Sequence, residues 1–509
     1  MFASYLKSIQ KFFPLFLFGP LFAIAIILGI QQGTLDKAGK TANSSAVHFT
    51  RANLHQLQQQ MKSPRYQMAD FDANQLGQTI PSAKVTDQDG HRHQVVLWDS
   101  WPVTDQNGYL ADYHGYHLTI ALSAIDKRRD KKGVKMVLLA QKANSKNQGL
   151  DSWLYLGPLF NTFTEGAQSP DLWLSRLNNE WSGSAVQMQS EDDHIRLFYT
   201  GAMTEYGQAQ ALTTASVSIQ PKDGQNWASG LTINHQMASD HKTLFTGDGK
   251  IYQRKSQLTN QKTDSFAMRD PHFVVDHGHY YLVFEGNTTS RPAQTLQNPA
   301  NFGSLAFFKK DRAAIDQSTA DTISQTSNVS LKSAVGTANS AIGLLKLNHD
   351  FTVKKVDQPL MVSSAANDIT ERPNLFKYEG KWYLFTCFQG KSLASSNKQF
   401  LNQNYLLGYV STNGLKGSYQ KLNKTGLVLG SNAKRKTNRF TYAYLVVPSK
   451  VKKQSQFVIT AFAGDRTFAP SVELKLKGKT STVNNTRILN QGALTTAGQR
   501  YQTNPQKWT

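Results

Sequence analysis

The sequence predicts an all-β fold. Three observations carry that prediction. From about residue 90 onward, short runs rich in Val, Ile, Leu, Tyr and Phe recur. Clusters of Gly, Asn and Asp separate them. Long helical periodicity is absent. The runs HLTIAL (117–122), KMVLLA (135–140), HIRLFYT (194–200), HYYLVFEG (279–286), KWYLFTCF (381–388), NYLLGYV (404–410) and QFVITAFA (456–463) have strand lengths and turn punctuation. Many short strands without helical blocks between them fit a sandwich, a barrel or a propeller. No motif repeats at a fixed period, so a repeat-type propeller is not visible by inspection.

Taken in order, the chain opens with Lys7 and Lys11, then an apolar run from Phe12 to Ile30. That run approaches the roughly 20 residues a membrane-spanning helix needs. Its positive front flank and polar rear flank fit a signal peptide or an uncleaved anchor. Residues 1–34 are therefore read as signal or anchor, and 35–47 as a polar linker. A secreted or cell-surface protein follows. Residues 52–62 have the composition of a short helix. Residues 287–336 are rich in Ser, Thr, Asn and Gln and are read as a long surface excursion. No internal linker divides residues 90–509, so one large domain is expected.

Composition narrows the function classes. The chain has 509 residues, 11% of them aromatic, which excludes wholesale disorder. Cys387 is the single cysteine, so no internal disulfide framework exists, and it is expected as a buried strand residue. Net charge is +21, and residues 421–509 hold 16 Lys and Arg against 2 Asp and Glu. Export argues against nucleic acid as the partner, and no nucleic-acid-binding motif or phosphate-binding glycine loop appears. An anionic cell wall or membrane face is the expected electrostatic partner.

Acidic residues are scarce, so those set in aromatic or apolar surroundings are informative. Asp99 lies in VVLWDSWPV, Asp270 in MRDPHFV and Glu371 in NDITERPNLF. A charge between Trp98 and Trp101 is costly unless it is hydrogen-bonded. Glycosyl transfer needs such a set. One carboxylate attacks the anomeric carbon while another, protonated near neutrality, donates to the leaving oxygen. Nearby aromatics stack on sugar faces and arginines tune the carboxylates.

These segments, with ADYHGYHL (111–118), EWSGSA (180–185), IRLFYT (195–200), LNHDFTVKKV (347–356), GKWYLFT (380–386), LNKTGLVL (422–429) and TFAPS (467–471), resemble the bacterial fructansucrases. This is the levansucrase and inulosucrase group of glycoside hydrolases. The resemblance runs in order from about residue 48 to 495, leaving 496–509 as a basic polar tail. It implies a single five-bladed β-propeller with a central funnel-shaped active site and a short N-terminal helical region. It also implies a monomeric enzyme that cleaves sucrose with retention and passes fructose to fructan, oligosaccharide, sugar or water. By motif, Asp99 resembles the nucleophile, Asp270 the transition-state stabiliser and Glu371 the general acid/base. Trp98, Trp181, Ser182, Arg269 and Arg372 resemble sugar-pocket residues, and Tyr442 in RFTYAY resembles an active-site tyrosine. A structural Ca²⁺ is implied on Asp264, Asn339, Asp368, the Thr337 carbonyl and Gln294, all hard oxygen donors.

Two positions depart from the family pattern. Ile369 stands where the family usually has a carboxylate, and Gln389 where it usually has a basic residue. Both positions serve the glucosyl or acceptor side in the family. Fructosyl transfer, a mainly hydrolytic β-fructofuranosidase, and a non-catalytic glycan-binding relative all remain open. The intact Asp99, Asp270 and Glu371 favour the enzymes. HGYH (114–117) is read as structural rather than metal-binding.

Overall fold

The computed structural model describes residues 46–501, except 78–79, 87–89, 126–133, 161–177, 204–208, 259–263, 319–320, 324–325, 435–436 and 465. The expected signal or anchor, most of the linker and residues 502–509 of the tail lie outside the described residues. Among the described residues, no helix is long and apolar enough to cross a membrane.

The described strands form a five-bladed propeller. Each blade is built on four antiparallel strands, and the chain enters every blade at its innermost strand. Those inner strands are Arg92–Thr104, Asn179–Val186, Met268–Asp276, Glu371–Tyr378 and Thr441–Val451. Each is followed outward by its neighbours, as in the first blade: Tyr116–Ile125, Lys135–Lys142 and Leu154–Pro158. All seven sequence-predicted strands are present. Their apolar runs are nearly continuous because blades pack face to face and bury both sides. In Lys135–Lys142, for example, every residue from Met136 to Gln141 is buried.

Polar bonds between neighbouring blades close the ring. Val103 and Thr104 pair in parallel with Ala185 and Val186, joining the first two blades edge to edge. Phe273 N donates to Ser184 Oγ at 3.0 Å, linking second and third. The His272 ring meets Leu375 O through Nε2 at 3.0 Å, linking third and fourth. Burial lowers the His272 pKa to about 4, so the ring is neutral and donates this bond. Val446 N donates to Asn374 Oδ1 at 3.1 Å, linking fourth and fifth. Leu97 N donates to Arg466 O at 3.1 Å, linking fifth back to first.

The short N-terminal helix is Arg51–Gln60, capped by Thr50. Before it, Val47 and His48 add a parallel edge to the third blade. Arg51 is buried, pairs with Asp311, and donates to the carbonyls of Ala365 and Ala394. The segment 287–336, read as a long surface excursion, has structure of its own. That segment carries the helices Pro292–Gln297, Leu305–Gln317 and Leu331–Thr337, with a small core of Leu296, Phe302, Ile315 and Val335. In LAFFKKDRAAIDQ the inward face is Asp311 and Ile315 with Phe307 and Phe308 partly buried, a face that the surrounding Ser, Thr and Asn residues obscured in the sequence. Cys387 is buried, as expected.

Candidate active site

Each inner strand breaks its ladder near the residue expected in the site. The register shifts fall between Trp98 and Trp101, Trp181 and Gly183, Arg269 and His272, Glu371 and Asn374, and Tyr442 and Leu445. These are β-bulges, which turn a strand and re-aim its side chains. At four of them a non-glycine residue takes positive φ: Asp99 (48°), Asp270 (55°), Arg372 (54°) and Ala443 (58°). Such conformations cost about 1–3 kcal/mol each and persist where the surroundings fix them. The fifth bulge uses Gly183, whose added Cβ would lie 1.9 Å from Phe198 O.

The bulges bring Asp99, Asp270 and Glu371 to one place. Asp99 Oδ2 accepts from Ser182 Oγ at 3.2 Å. Asp270 Oδ2 accepts from Arg372 N at 2.9 Å, while Asp270 N donates to Thr200 Oγ1 at 2.9 Å. Glu371 Oε1 meets Arg269 Nη2 at 3.4 Å. The Arg372 guanidinium crosses the centre to donate to Ala443 O and Ser100 O, tying three inner strands together.

Burial dominates the electrostatics. It raises Asp99, with Arg372 opposing, Asp270 adding, and Arg466 and the Ser182 bond pulling back. It raises Asp270 against Arg269 and Arg372. It raises Glu371 to about 7, against Arg269 and with help from Asp270 and Asp99. Three carboxylates that feel one another in a buried site favour a shared proton, and Glu371 is placed to carry it near neutrality.

The aromatic and polar wall completes the site. Trp98 is buried, with the Arg466 guanidinium 3.7 Å from its ring centroid. Trp181 is half-buried beside buried Ser182. Tyr442 is buried, and its hydroxyl has no hydrogen-bond partner among the described residues. Gln389 ends the strand Lys381–Gln389, two residues beyond Cys387, which lies across the ladder from Glu371. Among the described residues, no hydrogen bond from its side chain joins it to the three carboxylates. Ile369 contributes its carbonyl, which accepts from Asn367 Nδ2 and Ser392 Oγ.

Comparison with known proteins gives this geometry a family. The levansucrase/invertase family profile matches residues 40–495. The chain belongs to the levansucrase/invertase family. Levansucrase of Bacillus subtilis is 37% identical, over 88% of this chain and 90% of that one. A protein of Geobacillus stearothermophilus described as an inactive levansucrase is 36% identical over the same shares, 88% and 90%. Among solved structures, Bacillus subtilis levansucrase superposes with TM-score 0.78 at 36% identity, covering 89% of this chain and 98% of that one. A levansucrase variant complexed with sucrose gives TM-score 0.78 at 35% identity, covering 89% and 99%.

A second polar cluster lies beside the third blade of this levansucrase/invertase family member. Asp368 is buried; its Oδ2 accepts from Ser265 N at 2.8 Å, while its Oδ1 has no hydrogen-bond partner among the described residues. Burial, with Asp264 adding, raises Asp368 to about 8. Asn339 Oδ1 accepts from Asn287 Nδ2 at 2.8 Å, and Thr337 ends the helix Leu331–Thr337. Two buried carboxylates with neutral oxygens nearby are a donor set that fits a hard cation. Gln294 stands differently: it is exposed, and its Oε1 accepts from Arg291 N at the start of its own helix.

Sequence reading missed several residues at the site. Glu285 is fully buried and forms two bonds to Arg269. Thr200 holds the Asp270 backbone, and Arg466 covers Trp98. Glu285 had a signal, being an acid at the end of the apolar run HYYLVFEG. Thr200 and Arg466 had none, because their roles depend on neighbouring blades.

Proposed function

We propose that this chain is a retaining fructosyltransferase acting on sucrose. Asp99 attacks the anomeric carbon of the fructosyl unit as the bond to the glucosyl oxygen breaks. Glu371 gives its proton to that oxygen, and glucose leaves. Glu371, now ionised, then takes a proton from an acceptor hydroxyl, whose oxygen displaces Asp99 from the fructosyl carbon. The acceptor is a growing fructan, an oligosaccharide, another sugar or water. The fructosyl unit carries positive charge in both transition states, and Asp270 offsets it from a fixed, buried position. Trp98, Trp181, Ser182, Arg269, Arg372 and Tyr442 shape the sugar pocket, with Gln389 toward the glucosyl and acceptor side.

The observation that carries this reading is the meeting of three acids from three blades, one of them raised to about 7. The known sucrose complex of a similar levansucrase supports the choice of substrate. Sugar analysis after incubation with sucrose tests it. Glucose is expected in excess of free fructose, the difference being transferred fructose. No glucose release, even at high enzyme concentration, overturns it.

Two further properties belong to the same reading. A structural Ca²⁺ bound by Asp264, Asp368, Asn339 and the Thr337 carbonyl is supported by the buried carboxylate pair, with Gln294 as the remaining candidate. Residence outside the cell, with retention on an anionic wall, is supported by the apolar N-terminal run and the cationic C-terminal part. Washing cells in high salt should release the protein; retention through the wash points to the N-terminal segment as the anchor.

A further inference from the structure

Glu285 has no place in the chemistry above, yet it is the most enclosed acid near the site. It sits on the strand His279–Asn287, across the ladder from Arg269, with no exposed surface. Its Oε2 accepts from Arg269 Nε at 2.8 Å, and its Oε1 from Arg269 Nη2 at 3.0 Å. This two-bonded fork fixes a guanidinium in plane as well as in place. The same Nη2 is the group that reaches Glu371 Oε1, at 3.4 Å. One nitrogen is therefore shared between a carboxylate sealed from solvent and one that is partly exposed.

The inequality of the two contacts has a chemical consequence. An unopposed guanidinium beside Glu371 would stabilise its ionised form, which has no proton to donate. Burial raises Glu285, with Glu371 and Asp270 adding, and the two bonds from Arg269 pull it back; ionised within that fork, Glu285 offsets the guanidinium charge and leaves Glu371 only a long third contact. Among the described residues, the other groups facing Glu371 act on it directly, and none of them hydrogen-bonds the Arg269 guanidinium. Asp270 and Asp99 disfavour its ionisation and Lys391 favours it. Cys387, across its own ladder, is a buried thiol that burial keeps protonated. Arg372 spends its guanidinium on backbone carbonyls.

We propose that Glu285 is a positioning residue: it clamps Arg269 away from Glu371, so that Glu371 retains the proton it must give to the leaving glucosyl oxygen. This rests on the reading of Glu371 as the acid/base.

The test is the pH profile of kcat/KM for sucrose cleavage. Glu285→Gln keeps the shape and removes the charge. Its alkaline limb should move to lower pH by about one unit, a loss of about tenfold above neutrality relative to the parent enzyme. The acid limb, set by Asp99, should stay, because Asp99 accepts from Ser182 and faces Arg372, Asp270 and Arg466 rather than the Arg269–Glu285 fork. Glu285→Asp keeps the charge on a shorter arm, and its limb should move less, in the same direction. An unmoved alkaline limb with only kcat lowered assigns Glu285 to packing and overturns the proposal. If Glu285→Gln fails to fold, the Glu285→Asp limb decides by the same criterion. Glu371→Gln, measured alongside, separates the two ideas. If it still cleaves sucrose at the parent rate, the acid/base reading falls; if it is inactive while the limb is unmoved, only the Glu285 proposal falls.

Discussion

At Asp99 the backbone lies in the left-handed region, which Asp and Asn enter more readily than most side chains. This makes Asn the cleanest replacement, since it keeps the bulge and can keep a bond to Ser182. Asp99→Asn should fold with an unchanged melting temperature and lose at least about 10³-fold in glucose release, because an amide cannot serve as the attacking carboxylate. Near-parental activity in a folded variant would remove Asp99 from the mechanism. Glu371 gives the second prediction at this scale. Its pKa is raised to about 7, and it must be protonated to act as an acid. The rate of cleavage should therefore fall as pH rises through about 7, with the ionised fraction of Glu371. An alkaline limb well above pH 9 would exclude it as the proton donor. Asp99, Asp270 and Glu371 were legible because acids are rare in this chain and each stands beside Trp or Arg. Thr200 and Arg466 were not legible, because one acts through a hydroxyl bond to another blade's backbone and the other through a ring across the blade junction.

The inner strands show why the propeller itself was hard to read. The bulges at Asp99, Ser182, Asp270, Arg372 and Ala443 are a structural repeat, but these positions are unequally spaced. The residues at them are Asp, Ser, Asp, Arg and Ala, so only one type recurs. Repetition therefore survives in backbone geometry and not in residue identity. Strand existence was legible from apolar runs; blade membership came only through family resemblance. The helix Leu305–Gln317 was missed because it lies in a polar segment, although Ser304 caps it, accepting from Phe307 N at 3.1 Å. Gly183 offers a test of the bulge. An alanine Cβ there would meet Phe198 O at 1.9 Å and Tyr199 Cα at 2.7 Å, both backbone atoms that cannot rotate away. Gly183→Ala should cost about 3 kcal/mol or more and displace Ser182 from Asp99. Thermal melting and sucrose cleavage should decline together. A stable, fully active variant would show that the second blade reaches its geometry without this close approach.

Charge and cation binding act on the molecule as a whole. The fifth blade turns Lys452, Lys453, Lys475, Lys477 and Lys479 outward, so much of the C-terminal excess sits on one blade's exterior, away from the buried acids of the funnel. The proposed Ca²⁺ set works differently, because its ligands come from distant parts of the chain. Asp264 precedes the third blade, Thr337 ends the helical insertion and Asn339 follows it, and Asp368 leads into the strand that carries Glu371. A cation held there would tie the insertion to the entry of the fourth blade. It would also neutralise Asp264 and Asp368, which otherwise share a buried space with no arginine or lysine bonded to Asp368 among the described residues. Binding to the folded state alone stabilises by mass action, about 2.7 kcal/mol when free Ca²⁺ is a hundredfold above its dissociation constant. A chelator should therefore lower the melting temperature by a few degrees, and added Ca²⁺ should restore it. Asp368→Asn should melt at the same temperature with and without chelator, since it removes one of the two charges that attract the ion. If the unmodified protein melts identically in chelator and in excess Ca²⁺, the buried pair is stabilised by a proton on Asp368 instead, and the insertion is held by the Arg51–Asp311 pair and its small apolar core.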